Sequence, residues 1–355
     1  MQRALEFLQA YRKKSNKILK KIWISEIKRA EKIDKFNKTA IEYFTNLSNK
    51  GKRVRGGLTL LGYLLSGKSS NDQILKASLS LEIFHTAILI HDDIIDKDKQ
   101  RRGIKTAHNF FLSIAPENLN YTEKKHFGIS QAINLGDYGI LLSLKILMQT
   151  DFAQQIKQRA LFEFISALQD VVYGQMLDCT KISFEKLAPE YILKIFRYKT
   201  AVYTGVLPLK LGLILSDSSD RKFEAVEKFG YYLGLVFQIK DDLLNIFGDQ
   251  KKTGKPLLSD IREGKNTFFL YYISKYGSNK DKEFIKKYLG KHSLTKKEIF
   301  DLQEFFRRTG SLDFVIKKLE DYKQKALEYC AFLTQDSKLQ ELLRSFVVLA
   351  YEREK

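Results

Sequence analysis

The sequence predicts an all-α protein, and three of its features lead there. Only 4 of 355 residues are proline, so few positions lose the backbone N–H that a helix interior needs. Apolar residues recur with the i, i+3, i+4, i+7 spacing of a buried helix face along much of the chain, whereas the strict alternation of a half-buried strand is hard to find. A hydrophobic fraction of 44% is enough to fill a large core. A chain of this length could divide in two. No linker rich in Pro, Gly or Ser, no fixed-period repeat and no low-complexity tract marks a boundary, so residues 1–355 are read as a single domain.

Taken in order, residues 1 to about 45 carry Leu5, Leu8, Ile18, Ile22, Ile27 and Ile33 at helical spacing as candidates for buried faces. NLSNKGKRVRGG then interrupts the pattern with polar residues and glycines, and holds Lys52, Arg53 and Arg55. A helix is expected to restart near Leu58 and to stop by SGKSSND, where Ser, Asn and Asp supply turn and cap chemistry. From Gln73, ILKASLSLEIFHTAILIHDDIID reads as one long helix. It is apolar all round between Leu79 and Ile90, as a helix buried on every side would be, so its acidic end is expected to point into or across the interior. Further helices are expected at 127–151, 154–178, 188–216, 221–247, 265–277, 282–289, 295–308, 311–334 and 336–351.

A formal charge of +19 makes nucleic acid, anionic membrane and phosphorylated substrates the partner classes to weigh. Much of the lysine is spread along stretches such as KSNKILKKIWISEIKRAEK, which read as solvated helix faces. Cys179 and Cys330 show neither CxxC nor Cys/His spacing, so neither a zinc site nor a disulfide framework is suggested, and a reducing cytoplasm is the simplest home. MQRALEFLQAYRKK mixes charges among its apolar residues and lacks the continuous apolar core of a signal peptide. The most membrane-like run, Thr200 to Ser216, is interrupted by Pro208 and Lys210 and is too short to span, so no transmembrane segment is expected.

The chemistry is concentrated in two stretches. In ILIHDDIIDKDKQRRG, Asp92, Asp93 and Asp96 follow an apolar run and precede two adjacent arginines. Like charges one turn apart cost about 0.2–0.5 kcal/mol per pair, and more where water is scarce, so something cationic must offset them. Far along the chain, FQIKDDLLNIFGD embeds Asp241 and Asp242 in another apolar run with Asn245 one turn beyond. Helical geometry puts Asp92 with Asp96, and Asp241 with Asn245, on one face each. Magnesium favours a few carboxylates together with water and substrate phosphates. Two such rims with Mg2+ between them would hold a diphosphate, and the neighbouring lysines and arginines supply the cationic donors such an anion needs. A single DDxxD occurs by chance on solvated surfaces. A pair in apolar helices, one followed by RRG and the other by GDQKKTGK, is far less easily accidental.

The motifs GKRVR (51–55), DDIIDKDKQRRG, YGQMLD, YKTAVYT, FQIKDDLLNIFGD, TGK (253–255) and DIREGKN (260–266) run in order over most of the chain, and together the sequence resembles the trans-isoprenyl diphosphate synthases of the polyprenyl synthetase family. The resemblance implies the isoprenoid synthase fold, a single large all-α bundle of roughly a dozen helices around a deep central cavity, and a homodimer. It implies that Asp92, Asp93 and Asp96 bind the allylic diphosphate through magnesium, with Asp92, Asp96 and Asp241 as direct metal ligands and Asp242 beside them, and with three Mg2+ bridging the diphosphate. By the same resemblance Arg101, Lys255 and Lys265 reach the allylic diphosphate, while Lys52, Arg55, His85 and Arg102 hold isopentenyl diphosphate. For His85, a hydrogen-bonded core histidine is the alternative. Lys199, Thr200 and Gln238 match residues lining the space where positive charge develops. Gln175 and Asp178 match a position beside the metals, or serve as caps and structural hydrogen bonds. EREK resembles a basic tail that closes over the isopentenyl site, or is simply a solvated terminus. The family usually has a third aspartate where this chain has Asn245, from which a weaker third magnesium is expected.

The implied reaction is Mg2+-dependent ionisation of an allylic diphosphate (dimethylallyl, geranyl or farnesyl), attack by the double bond of isopentenyl diphosphate, and loss of a proton. Product length is expected to be set on the helix before Asp92. Position 87, where the family often has an aromatic plug, is Ala87, with Ile88 next, so that floor is read as open. Phe84 lies roughly 12 Å below the level of Asp92 at about 1.5 Å per residue. The expected product is C20 geranylgeranyl diphosphate, with farnesyl (C15) or longer (C25 and above) as alternatives; if Phe84 faces another helix, the floor is supplied elsewhere. Rivals are weaker. A class I terpene cyclase would carry a serine and a glutamate in its second motif, which DDLLNIFGD lacks. A nucleic-acid binder would not need magnesium and would weaken steeply with salt. A non-catalytic synthase subunit is disfavoured by the presence of both aspartate stretches and RRG.

Overall fold

The computed structural model describes residues 1–180, 182–218, 222–249, 257–291 and 293–354. In chain order these form α1 (Gln2–Glu31), α2 (Lys35–Asn49), α3 (Val54–Leu64), α4 (Asp72–Ile95), β1 (Gln100–Arg101), β2 (Ile104–Lys105), α5 (Ala107–Ser113), α6 (Tyr121–Met148) and α7 (Gln154–Cys179). A 3-10 turn (Phe184–Lys186), α8 (Pro189–Ile195), a π-helical segment (Phe196–Val206), α9 (Leu207–Leu215), α10 (Phe223–Phe247), α11 (Ser259–Glu263) and α12 (Phe268–Tyr276) follow. The chain closes with α13 (Asn279–Lys286), α14 (Lys296–Arg308), α15 (Ser311–Leu333) and α16 (Ser337–Glu352). The all-α expectation holds, with one two-stranded ribbon as the exception among the described residues.

The backbone divides into two compact units. Glu6–Phe162 with Leu211–Ser218 forms one, here the N-terminal unit; Met1–Leu5, Glu163–Lys210 and Ser219–Lys355 form the C-terminal unit.

In the N-terminal unit α4 packs against α2, α3 and α6. Its Leu79, Ile83, Ala87 and Ile90 join Trp23, Phe44, Phe111, Leu135 and Leu142 in one apolar cluster. Asn71 starts the helix by accepting from the N–H of Gln73 and Ile74, an arrangement that satisfies orphan donors of the first turn. α4 is long and apolar enough to cross a bilayer, but 72% of its most apolar window is buried inside the protein, as in a core helix. The run expected over residues 1–45 is broken in two, because Asp34 caps α2 by accepting from Phe36 N at 2.6 Å. The polar break before α3 is where it was expected, although α3 begins at Val54, earlier than Leu58, from an Arg53 held at φ 64.

In the C-terminal unit α10 packs against the π-helical segment, α15 and α16. The single helix expected over 188–216 is instead α8, the π segment and α9. Glycines let the π segment and α10 touch backbone to backbone: a Cβ on Gly205 would lie 2.0 Å from Gly230 O, and one on Gly234 would lie 2.4 Å from Ala201 Cα. That close packing fixes two neighbouring side chains of the π segment, Lys199 and Thr200, relative to α10.

Candidate active site

In the N-terminal unit α4 ends on its acidic motif. Asp93 is fully buried, and Asp92 and Asp96 are half-buried. Beyond Lys97 (φ 56) the chain folds into the ribbon, pairing Gln100 with Lys105 and Arg101 with Ile104. Arg102 and Gly103 form its turn at φ 53 and φ 75. Two positive values are what a tight type I′ hairpin demands, and glycine adopts one without strain.

The turn sends the two arginines to different partners. Arg101 donates from Nε to Asp93 Oδ1 at 2.6 Å, and its Nη2 pairs with Asp93, with Asp98 at 3.3 Å and with Asp92 at 3.4 Å. Arg102 donates from Nη1 to Leu47 O at 3.0 Å. The cation that the acidic stretch called for is therefore Arg101. Burial would lower its pKa, but Asp93, Asp92 and Asp98 hold it above the ordinary value. Burial pushes the Asp93 carboxyl up to about 7 against the pull of Arg101, and Asp93 Oδ2 remains buried without a hydrogen-bond partner.

Beside this rim lies a basic cluster. A Cβ on Gly51 would sit 3.3 Å from Arg53 Nη1 and 3.4 Å from Arg102 Nη1, so glycine there lets two guanidinium groups converge. Arg53 is 1% exposed; its Nη1 is 3.9 Å from Glu82 Oε2, whose other oxygen accepts from Gly56 N at 2.7 Å. Desolvation and the charges of Arg55, Arg102, Arg101 and Arg53 hold His85 well below its ordinary pKa, hence neutral. Burial lowers Arg102 to about 10, still protonated at neutral pH. Lys52 lies on the exposed side of the break, and Arg55 is half-buried.

The expected chain-length positions separate. Ala87 does not open a floor: a Cβ on Gly139 of α6 would come within 2.8 Å of the Ala87 methyl and 2.6 Å of the Phe44 ring, so position 87 is consumed by helix packing. Phe84 is 1% exposed. By helical spacing it shares the face of Ile88 and Asp92 rather than that of Ile83, Ala87 and Ile90.

In the C-terminal unit α10 presents Asp241 to solvent and buries Asp242, which is 4% exposed. Gln238, one turn earlier, donates from Nε2 to Asp242 Oδ1 at 2.9 Å and accepts from Thr200 Oγ1 at 2.6 Å. Thr200 thus acts behind Gln238 and fixes which way its amide points. Lys199 pairs with Asp178 at 2.5 Å, which gives Asp178 a charged partner rather than a capping role. Asp178, Lys199, Gln238, Asp242, Asp260 and Lys265 line a cavity of about 50 Å³. Burial raises the Asp242 pKa well above the ordinary range, aided by Asp260, Asp241 and Asp178 and opposed by Gln238. Asp242 Oδ2 has no hydrogen-bond partner among the described residues. Asp241 is paired with Arg353 at 2.5 Å, and that arginine also donates to Phe237 O at 2.7 Å. Lys255 lies outside the described residues.

These residues fit a divalent cation. Each unit holds a buried carboxylate oxygen, Asp93 Oδ2 or Asp242 Oδ2, that no described residue satisfies. Among the described residues no three Asp, Glu, His or Cys side chains close into a cage. That suits magnesium, which takes one or two carboxylates and completes its shell with water and phosphate oxygens.

The sequence profile described as polyprenyl synthetase matches residues 35–305. This chain belongs to the polyprenyl synthetase family. A short chain isoprenyl diphosphate synthase of Methanocaldococcus jannaschii is 31% identical over 288 residues, covering 78% of this chain and 81% of that protein. A solved geranylgeranyl pyrophosphate synthase of Corynebacterium glutamicum, complexed with isoprenyl diphosphate and magnesium, superposes with a TM-score of 0.89 at 26% identity over 98% of this chain and 99% of that one. An octaprenyl diphosphate synthase of Escherichia coli is 25% identical over 313 residues, 87% of this chain and 88% of that protein. The synthetase is a prenyltransferase of the trans-prenyl diphosphate synthase type. Family relatives carry names for products of several lengths, so membership does not fix the product.

Sequence reasoning missed four groups at this site. Asp98 shares Arg101, Arg53 lies under Arg102, Asp260 lines the cavity and Arg353 neutralises Asp241. Asp98 and Arg53 sit inside motifs already singled out, and their residue types were signal enough. Asp260 likewise opens the DIREGKN motif, and Arg353 belongs to the EREK tail expected at the isopentenyl site but pairs with Asp241 instead.

Proposed function

We propose that this synthetase joins isopentenyl diphosphate head to tail to an allylic diphosphate and releases mainly C20 geranylgeranyl diphosphate, using three Mg2+ per active site. The observation that carries the reading is the pair of buried carboxylates, Asp93 and Asp242, each left with an unsatisfied oxygen beside a cationic group. Bound magnesium would supply charge neutralisation for the departing diphosphate. Asp92, Asp96 and Asp241 would hold it. Arg101 would reach the allylic diphosphate together with Lys199, Lys265 and Lys255. Lys52, Arg55 and Arg102 grip isopentenyl diphosphate beside a neutral His85, which adds a polar contact without charge. Gln238, oriented by Thr200, offers its amide dipole to the developing allylic cation. The proton lost at the end passes to the released diphosphate, so no side-chain base is required.

The C20 assignment is supported by the depth of Phe84 and by the likeness to the geranylgeranyl pyrophosphate synthase of C. glutamicum. A homodimer is supported by Ile165, Val172, Tyr173 and Met176, which leave an apolar stripe on α7 exposed. A cytoplasmic location rests on the residue pattern alone. Incubation with labelled isopentenyl diphosphate and primers of C5, C10 and C15, followed by chromatography of the dephosphorylated products, tests activity and length together. A main C20 product is expected; a main product of C25 or above, or no shift towards longer chains with Phe84→Ala, removes Phe84 from the account.

A further inference from the structure

The fifth position of the second acidic motif, occupied by Asn245, has another task in this fold. Its Oδ1 accepts from Asp260 N at 3.2 Å, its Nδ2 donates to Ser259 Oγ at 2.5 Å, and its main-chain O accepts from Leu258 N at 2.8 Å. Three consecutive residues at the start of α11 are thereby tied to α10. The tie holds Leu258, a buried non-glycine residue, at φ 58, a conformation that persists only where the surroundings enforce it. What it delivers is Asp260, whose carboxylate enters the cavity beside Asp242 and Asp178 and lies 3.9 Å from Lys265 Nζ. Asp242, 4% exposed, lines the same cavity and keeps a buried Oδ2 without a hydrogen-bond partner among the described residues, an arrangement that asks for a cation.

We propose that Asp260 supplies the third carboxylate of the second metal-binding rim, and that Asn245 is the positioning residue that sets it beside Asp242. This replaces the expectation of a weakened third magnesium: the charge absent from position 245 is delivered from the first turn of α11. The inference rests on the reading that this rim binds magnesium with a diphosphate.

Calorimetric titration of the full chain with Mg2+ and inorganic pyrophosphate separates the two. No Mg2+-dependent pyrophosphate binding by the wild-type protein would overturn the functional reading itself. If the wild type binds, Asp260→Asn and Asn245→Ala are each expected to weaken Mg2+-dependent binding by about 10–100-fold, as loss of groups around a metal does. The double variant should be no weaker than Asp260→Asn alone. Asn245→Asp should restore affinity relative to Asn245→Ala, because a carboxylate can accept from both Asp260 N–H and Ser259 O–H. Should Asp260→Asn not fold, Asp260→Glu, which moves the charge along a longer arm, is expected to show the same loss. Wild-type affinity in the Asp260 variants, or an Asn245→Ala variant that melts earlier yet binds pyrophosphate normally, would overturn the assignment.

Discussion

In the N-terminal unit the buried Asp93 is answered by a single cation, Arg101, eight residues along the chain. In the C-terminal unit Asp242 is answered by no ion pair of its own among the described residues. It leans on the Gln238 amide, while Lys199 serves Asp178, Lys265 lies near Asp260 and Arg353 covers Asp241. One rim is closed by a local hairpin; the other is assembled from α7, the π segment, α10, α11 and the C-terminal tail. Charge concentrated in one local pair is robust to place and costly to break, whereas charge shared among distant groups is tunable and exposes more positions at which affinity can change.

The sharpest way to break that comparison is to remove the single cation. Arg101→Leu leaves Asp93 buried without its counter-ion and should destabilise the metal-free protein by about 3–5 kcal/mol, whereas Lys199→Leu should cost less because Asp178 faces the cavity. Denaturant melts of the two variants would decide, and equal losses would erase the distinction. Next comes pH. Burial holds both Asp93 and Asp242 above their ordinary values, so the fold favours their protonated forms. The stability they contribute is present in full below about pH 4 and is lost as pH rises. For Asp93 that loss runs to about 7, the value to which it is pushed. Thermal melts should therefore fall by several degrees over this range without ligand. The decline should be flatter in Asp93→Asn, and flatter in wild type with Mg2+ and pyrophosphate.

Smaller effects refine the picture. Ala87→Phe should overpack the contact with Gly139 and Phe44 and destabilise by about 1–3 kcal/mol. An aromatic residue at position 87 would thus act here as a packing defect, and a shortened product at unchanged melting temperature would show otherwise. Smallest is Arg353→Gln. Asp241 is exposed, so its pair with Arg353 contributes at most about 1 kcal/mol, and freeing it should improve Mg2+ affinity by up to about fivefold with little change in stability.

The same contrast explains what could be read from the sequence. α4 was legible at both ends, because Asn71 is a good cap and an unbroken apolar run leads to Asp92. The first rim was legible because its carboxylates and arginines lie within one short stretch. What escaped was non-local or conformationally subtle. The π segment has no period that distinguishes YKTAVYT from ordinary helix, and two-residue strands are too short to show alternation, so the ribbon that parts Arg101 from Arg102 was missed. Asp34 at a cap position could have split the first helix. The direction in which Ala87 faces depends on Gly139, a residue that pattern alone does not connect to it. Asn245 looked like a lost ligand because its partners, Ser259 and Asp260, are reached only through a turn of the folded chain.

Both acidic sets are proposed to serve one diphosphate during one reaction. The most direct measurement is steady-state incorporation of labelled isopentenyl diphosphate into prenyl product with Mg2+ in excess, comparing wild type with Asp92→Asn and Asp241→Asn. Turnover by the wild type, abolished by chelation and reduced in each variant by about 10²–10³-fold, is expected. A wild type without turnover, or either variant retaining the wild-type rate, would contradict it.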